Sequence, residues 1–134
     1  MVVDTSVWID LLNGHATARA NLLARALDDG DLILLPGLIL TEVLQGLPNE
    51  AQADRVAELM SGLQMPPGLD EQDYVDAAAL YRACRAHGTT PRSTIDCLIA
   101  QTCLRLDMPI LAQDRDYETI ARIAPLKLVT APAG

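Results

Sequence analysis

The segment Pro91–Asp107, PRSTIDCLIAQTCLRLD, carries apolar residues at Ile95, Leu98, Ile99, Cys103 and Leu106 at helical spacing. Ala100 and Leu104 leave little of the circumference polar, which predicts a largely buried helix. At about 100° per residue, Asp96 falls within about 60° of Ile99, Ala100 and Cys103, while Gln101 and Arg105 fall on roughly the opposite side. A carboxylate therefore leads an inward face. Burying it ionised and unpaired costs several kcal/mol, so it needs donors, a cation or a raised pKa. Ser93, three residues ahead, offers one solution, a capping box with Ser93 as N-cap. A functional role is the other, and the placement of the remaining acids decides between them.

Composition narrows the function classes. A chain of 134 residues is expected to form one domain, 1–134, burying about two-thirds of the surface its unfolded chain would expose. Half the residues are apolar, yet no run approaches the ~18 to 20 needed to span a bilayer. Met1 leads into VVDTSVW with no basic or signal-like stretch, the pattern expected of a soluble cytoplasmic protein with no membrane partner. Cys84, Cys97 and Cys103 are odd in number, lie in helical patterns and lack CxxC spacing, so free buried thiols are expected rather than a disulfide or zinc site. With 10 basic against 18 acidic residues the net charge is −8, which argues against nucleic-acid binding by a general basic surface. Any such partner must be met locally, and part of the negative charge is free to hold a divalent metal.

Outward from the central segment, short apolar runs alternate with helical patterns. Met1–Asp4 reads as a strand feeding a helix through Val7, Trp8, Ile9, Leu11 and Leu12, which Asn13 and Gly14 end. Ala16–Leu27 is a second, Ala-rich helix, and Leu32–Leu35 a buried strand. Leu40, Val43, Leu44 and Leu47 supply the stripe of the next helix, with Glu42 off it. Asn49–Gly62 is amphipathic and capped by Asn49. Leu63–Met65 reads as a brief strand before Pro66 and Pro67. Asp70–Ala86 is a long helix with Tyr74 and Tyr81 on one face. Pro109–Ala112 is a strand, Asp114–Ile123 a turn and short helix, and Leu126–Val129 a last strand before a frayed APAG tail.

This alternation predicts a mainly parallel sheet covered on both faces. Right-handed crossovers then put strand C-termini and helix N-termini at one edge, where α/β folds bind ligands. Asp4 ends the first strand, Glu42 lies early in a helix, Asp96 is in a first turn, and Asp114 and Asp116 follow a strand; all reach that edge. Each has a local alternative: Asp4 as an N-cap, Glu42 as an exposed helix residue, and Asp114 and Asp116 as turn and cap residues. Separately those alternatives do not explain the convergence. Carboxylates crowded together stay ionised only if cations neutralise them, and oxygen-only ligands favour Mg²⁺ or Mn²⁺ over zinc.

MVVDTSVWI, TEVLQG around Glu42, RSTIDCLIA around Asp96 and LAQDRDY around Asp114 together resemble the motifs of the PIN-domain ribonucleases, specifically the VapC toxins of bacterial toxin–antitoxin pairs. The likeness covers nearly the whole chain in order. It implies a three-layer α/β/α sandwich with a mainly parallel sheet of about five strands, and Mg²⁺-dependent endonucleolytic cleavage of RNA, with tRNA or another structured RNA as substrate. It also implies a homodimer and inhibition by a VapB-type antitoxin, through which operator DNA is bound. Carried over by position, Asp4, Glu42, Asp96 and Asp114 are the metal-site acids, with Asp116 as a fifth. Thr5 or Ser6 matches the hydroxyl beside the first aspartate. Tyr117 stands where many relatives carry Phe, which keeps the aromatic packing and adds a hydroxyl needing a partner.

With five site acids set aside, the remainder is only mildly acidic. Arg82, Arg85, His87 and Arg92 cluster in sequence ahead of Asp96, and the three arginines are candidates for RNA phosphates; a solvated helix end is the alternative. His15 and His87 read as surface residues. No Ser, His and Asp set or Cys and His pair suggests a covalent mechanism, so metal must supply the nucleophile. A catalytically silent PIN-like binding module is the second reading. A receiver-like phosphate-handling domain is a third, weakened because Lys127, near the tail, is the only lysine.

Overall fold

The computed structural model describes residues 1–131; the last three residues of the APAG tail, expected to fray, lie outside the described residues. At the centre, β1 (Val2–Val3) and β2 (Ile110–Leu111) pair in parallel, with Val2 opposite Ile110 and Val3 opposite Leu111. All four side chains are fully buried, as expected of parallel strands covered on both faces. Three further segments join through single parallel bridges: Leu34 to Val2, Gln64 to Leu34, and Leu128 to Ile110. The expected alternation of segments is therefore present, but a regular sheet of about five strands is not. Only two strands among the described residues pair over more than one residue. Prolines account for part of this. Pro36 and the Pro66–Pro67 pair lack the N–H a ladder needs and close the Leu34 and Gln64 segments within two residues of their bridges.

Seven helices surround these segments among the described residues: α1 (Thr5–Leu12), α2 (Ala18–Asp28), α3 (Gly37–Gln45), α4 (Glu50–Met60), α5 (Glu71–Ala86), α6 (Thr94–Leu106) and α7 (Arg115–Ile123). Capping sets several starts. Thr17 accepts from the Ala20 amide, Asn49 from Gln52, and Asp70 and Asp73 form a reciprocal capping box at the head of α5. By packing the helices fall into two groups, α1 with α2 and α3, and α3 with α4, against α5, α6 and α7, which pack on one another; α3 also touches α6. The core between them includes Val7, Leu23, Ile39, Val43, Ile99, Tyr117 and Ile120. Trp8 belongs to it.

The central helix is as buried as its pattern predicts, and more completely. Gln101, on the side away from Asp96, is also buried, because α5 covers that side. Gln101 Nε2 donates to Asp73 Oδ1 at 3.3 Å, and Arg105 Nη1 donates to Asp73 Oδ2 at 2.6 Å. Arg105 also donates to the carbonyls of Pro67 and Gly68. Burial acts to raise the Asp73 carboxyl, but the Asp70 amide, Gln101 and Arg105 outweigh it and hold it below the usual carboxylate range. The cysteines are free and buried, and burial above all pushes Cys97 up to about 11 and Cys103 up to about 12, so neither is a thiolate at neutral pH.

Removing Arg105 strands a buried carboxylate. Arg105→Gln is therefore expected to cost about 1–3 kcal/mol of unfolding free energy, read from the urea midpoint. A loss under about 0.5 kcal/mol, the scatter of ordinary surface changes, would show that the pair does not anchor α5 on α6.

Candidate metal site

Because β1 and β2 are adjacent and parallel, the chain leaves both strands at the same edge. Asp4 directly succeeds β1, and its amide donates to the Leu111 carbonyl at 2.9 Å, extending the ladder one step. Asp114 comes three residues after β2. Asp4 occupies the N-cap position of α1, yet its side chain makes no cap hydrogen bond. Its carboxylate instead accepts from Ser6 Oγ at 3.0 Å and from the Tyr117 hydroxyl at 3.1 Å.

Asp96 departs from the capping-box expectation in the same way. Ser93 does cap α6, accepting from the Ile95 amide at 3.1 Å, but Asp96 does not reciprocate. Its Oδ1 accepts from the Tyr117 hydroxyl at 3.3 Å. One buried phenol thus bridges Asp4 and Asp96, from α7 to α1 and α6. Tyr117 is the partner-seeking hydroxyl anticipated from the sequence, and the carboxylates are its partners. With a single hydroxyl hydrogen shared between two carboxylates, the bridge compensates at most part of their charge.

Asp114 fulfils both of its readings. It is the N-cap of α7, accepting from the Asp116 amide at 2.9 Å, and it takes part in the acidic cluster. Asp96, Asp114 and Asp116 each place a carboxylate oxygen so that all three lie within 4.8 Å of one another. Glu42 is half-buried rather than a free surface residue, and accepts from Thr5 Oγ1 at 2.8 Å. It joins the edge through the residue next to Asp4. The two hydroxyls thus divide their work, Ser6 serving Asp4 and Thr5 serving Glu42.

Of the three arginines singled out from sequence, Arg92 alone reaches the acids among the described residues. Its Nη2 donates to Asp114 Oδ1 at 2.9 Å, its backbone amide to Asp116 Oδ2 at 3.0 Å, and its Nε lies 3.9 Å from Asp116 Oδ2. Arg82 and Arg85 are exposed on the last turns of α5. His15 and His87 are exposed; His87 Nδ1 lies 2.9 Å from the Ala83 carbonyl and His15 Nδ1 lies 3.3 Å from Asp10.

Electrostatics tests whether a cation fits. Burial, then repulsion from Asp114, Asp4 and Asp116, pushes Asp96 up to about 7, with the Tyr117 bond acting in the opposite sense. Burial likewise raises Asp4, against the bonds from Ser6 and Tyr117. Arg92, largely in solvent, leaves the cluster with excess negative charge. An all-carboxylate donor set of this kind suits a hard divalent ion, and Asp96, Asp114 and Asp116 are the residues that fit one directly.

The pH response has a definite sign. A carboxyl whose folded pKa lies above its unfolded value of about 3.9 binds its proton more tightly in the native state, so its contribution is fully present below about pH 4 and is lost as pH rises through about 7. The metal-free protein is thus expected to melt at a lower temperature at pH 8 than at pH 5. Asp96→Asn should flatten much of that slope. Tyr117→Phe, which removes a bond favouring the ionised form, should move the Asp96 midpoint, followed by carboxyl NMR, upward. A melting temperature that rises between pH 5 and pH 8 would contradict the charge-repulsion account.

Comparison with known proteins agrees with the geometry. A PIN domain family model matches residues 1–123. Ribonuclease VapC11 of Mycobacterium tuberculosis is 33% identical over 131 residues, covering 95% of this chain and 96% of that protein. Among solved structures, VapBC2 from Rickettsia felis bound to a promoter DNA fragment superposes with a TM-score of 0.75 at 16% identity, covering 98% of both chains. VapBC-1 from nontypeable Haemophilus influenzae gives 0.72 at 18% identity, covering 96% of this chain and 95% of that one. A fold in which two parallel strands deliver aspartates to one edge, matched along its length in sequence and in structure, places this chain in the PIN-domain family, among the VapC ribonucleases.

Proposed function

We propose that the chain is a metal-dependent endoribonuclease, the toxin of a toxin–antitoxin pair, acting as a single PIN-like domain over 1–134. The observation that carries the reading is the meeting of Asp96, Asp114 and Asp116 within 4.8 Å, with Asp96 pushed up to about 7 by burial and by its acidic neighbours. Arg92 and Tyr117 offset only part of the charge of these acids, and a divalent cation would offset the rest. The two helical groups flanking the paired segments are read as the outer layers of an α/β/α sandwich.

Asp96, Asp114 and Asp116 would hold Mg²⁺, or Mn²⁺ in its place. Asp4, fixed by Ser6 and Tyr117, completes the acidic wall, and Glu42, fixed by Thr5, is placed to orient a water. A bound divalent ion lowers the pKa of an attacking water and offsets the charge growing on the leaving oxygen. The protein's share is positioning: α1, α6 and α7 present their carboxylates from buried, hydrogen-bonded backbones, so little reorganisation is needed at reaction. Arg92 already neutralises part of Asp114, and a phosphodiester arriving at the acids offers its guanidinium an alternative partner.

The relatives' complexes bear on partners. The Rickettsia felis and Haemophilus influenzae structures are VapBC pairs, the former on promoter DNA. A VapB-type antitoxin covering the acidic edge is accordingly the proposed partner here, with operator DNA bound through it and the toxin acting as a homodimer. A cellular RNA, with tRNA or another structured RNA favoured, is the proposed substrate. No helix of the described residues is long and apolar enough to cross a membrane.

Mapping of RNA ends after brief expression tests the activity and names the substrate. With purified protein, cleavage should require Mg²⁺ or Mn²⁺ and stop in excess EDTA. Asp96→Asn should keep the melting temperature at low pH and lower the rate by more than about 100-fold, or about 3 kcal/mol of transition-state stabilisation. It should also lose Mn²⁺ binding measured calorimetrically. Undiminished cleavage in EDTA would sink the metal mechanism, and RNA binding without cleavage would favour the silent binding module.

A further inference from the structure

A second charged feature adjoins the acidic cluster. Arg115, Glu118, Thr119 and Arg122 lie at i, i+3, i+4 and i+7 along α7 and so share one helix face, opposite the buried Tyr117 and Ile120. That face lines an open groove together with Arg92, Asp114 and Asp116. Three of the chain's 10 basic residues therefore border one groove, on a molecule of net charge −8. Arg115 and Arg122 are exposed and stand about 10 Å apart along the helix axis. Asp114 and Asp116 are engaged by Arg92 and belong to the cation site, which leaves Glu118 as the single remaining acid facing two arginines.

We propose that this α7 groove is where the substrate RNA backbone lies beside the scissile bond, with Arg115 and Arg122 taking phosphates. The proposal rests on the nuclease reading and adds to it the side on which the strand runs. It also replaces Arg82 and Arg85 as the phosphate-binding pair. Charge complementarity argues for the occupant: guanidinium forks recognise phosphate oxygens, and with Asp114 and Asp116 taken up by Arg92 and by the proposed cation, the α7 wall presents two arginines against one acid. Continuity argues for the location, since a strand in this groove leads directly onto Asp114 and Asp116.

The test is RNA affinity in the cleavage-deficient Asp96→Asn protein, with fluorescently labelled bulk tRNA as probe and titrations at several salt concentrations. Arg115→Gln with Arg122→Gln should weaken binding about tenfold and flatten the logarithmic salt dependence by about 1 to 1.5, as expected for two lost phosphate contacts. Glu118→Gln, which removes the competing acid from the same face, should tighten binding about two- to threefold. Arg82→Gln with Arg85→Gln should change neither. Unaltered affinity and salt slope in the α7 double variant, or a loss that tracks the α5 pair instead, would overturn the proposal, as would absence of tRNA binding at low salt. The opposite-signed Glu118 variant guards against a folding artefact, because a destabilised α7 does not tighten binding. The two readings fail separately. An α7-dependent affinity in a wild-type protein that cleaves no RNA would sink the nuclease and keep the groove, while cleavage with α7-independent affinity would do the reverse.

Discussion

Mutual repulsion among Asp4, Asp96, Asp114 and Asp116 is the constraint that the rest of the structure has to contain. Left to themselves, such groups move apart or take up protons, and the rise of Asp96 to about 7 records how far the fold prevents the first. Three covalently distant pieces are held against that force. The parallel pairing of β1 with β2 fixes Asp4 beside the Leu111 carbonyl and sends Asp114 out at the same edge. At the far end of α6, the Asp73–Arg105 pair fastens the helix that carries Asp96 to α5. Tyr117, wholly buried, reaches from α7 to the other two, and its own ionisation is suppressed by burial and by the same two acids, so it remains a donor at any physiological pH.

The periodic part of the fold was legible in the sequence because burial decides it. The helix around Asp96, the long helix ending near Ala86 and the strand-like segments at Val2, Leu34, Ile110 and Leu128 all derive from spacing and composition. Regular strand pairing was not legible. Whether an extended segment makes one bridge or several depends on what its neighbours do, and at Leu34 and Gln64 the nearby prolines end the pairing at once. Capping was legible only in part. Ser93 and Asn49 act as expected and Thr17 caps α2 unanticipated, whereas Asp4 and Asp96 sit at capping positions and turn their carboxylates elsewhere. The signal that separates the two cases is the hydroxyl at residue 117, which is read as packing unless its partners are known.

The arginines show a related limit. Arg82, Arg85 and Arg92 are close together in sequence, and proximity along the chain grouped them. Space regroups them: the turn between α5 and α6 carries Arg92 to the acids, while Arg115 and Arg122, more than 20 residues later, come to flank it. The spacing that reveals this was present in DRDYETIAR, where 115, 118, 119 and 122 mark one face of a helix whose other face is apolar. Net charge concealed it, because a total of −8 says nothing about where the positive charges stand.

Helix geometry offsets part of the charge at the site. Asp4 stands at the N-cap of α1, Asp96 in the first turn of α6, and Asp114 and Asp116 at the N-cap and first turn of α7, so three helix N-termini converge on the acids. Each contributes the equivalent of roughly half a positive charge at its amides. One of those amides is committed to Asp114, while the Arg92 amide, outside any helix, is committed to Asp116. Dipoles and shared hydroxyls stabilise carboxylates in place but cancel only a fraction of the cluster's charge, and the exposed Arg92 guanidinium adds one more counter-charge that solvent weakens. Were the compensation complete, a divalent ion would have little to gain by entering. Were it absent, the three elements would not pack. The residual charge, concentrated on Asp96 between its acidic neighbours, is what the fold leaves for a cation to neutralise.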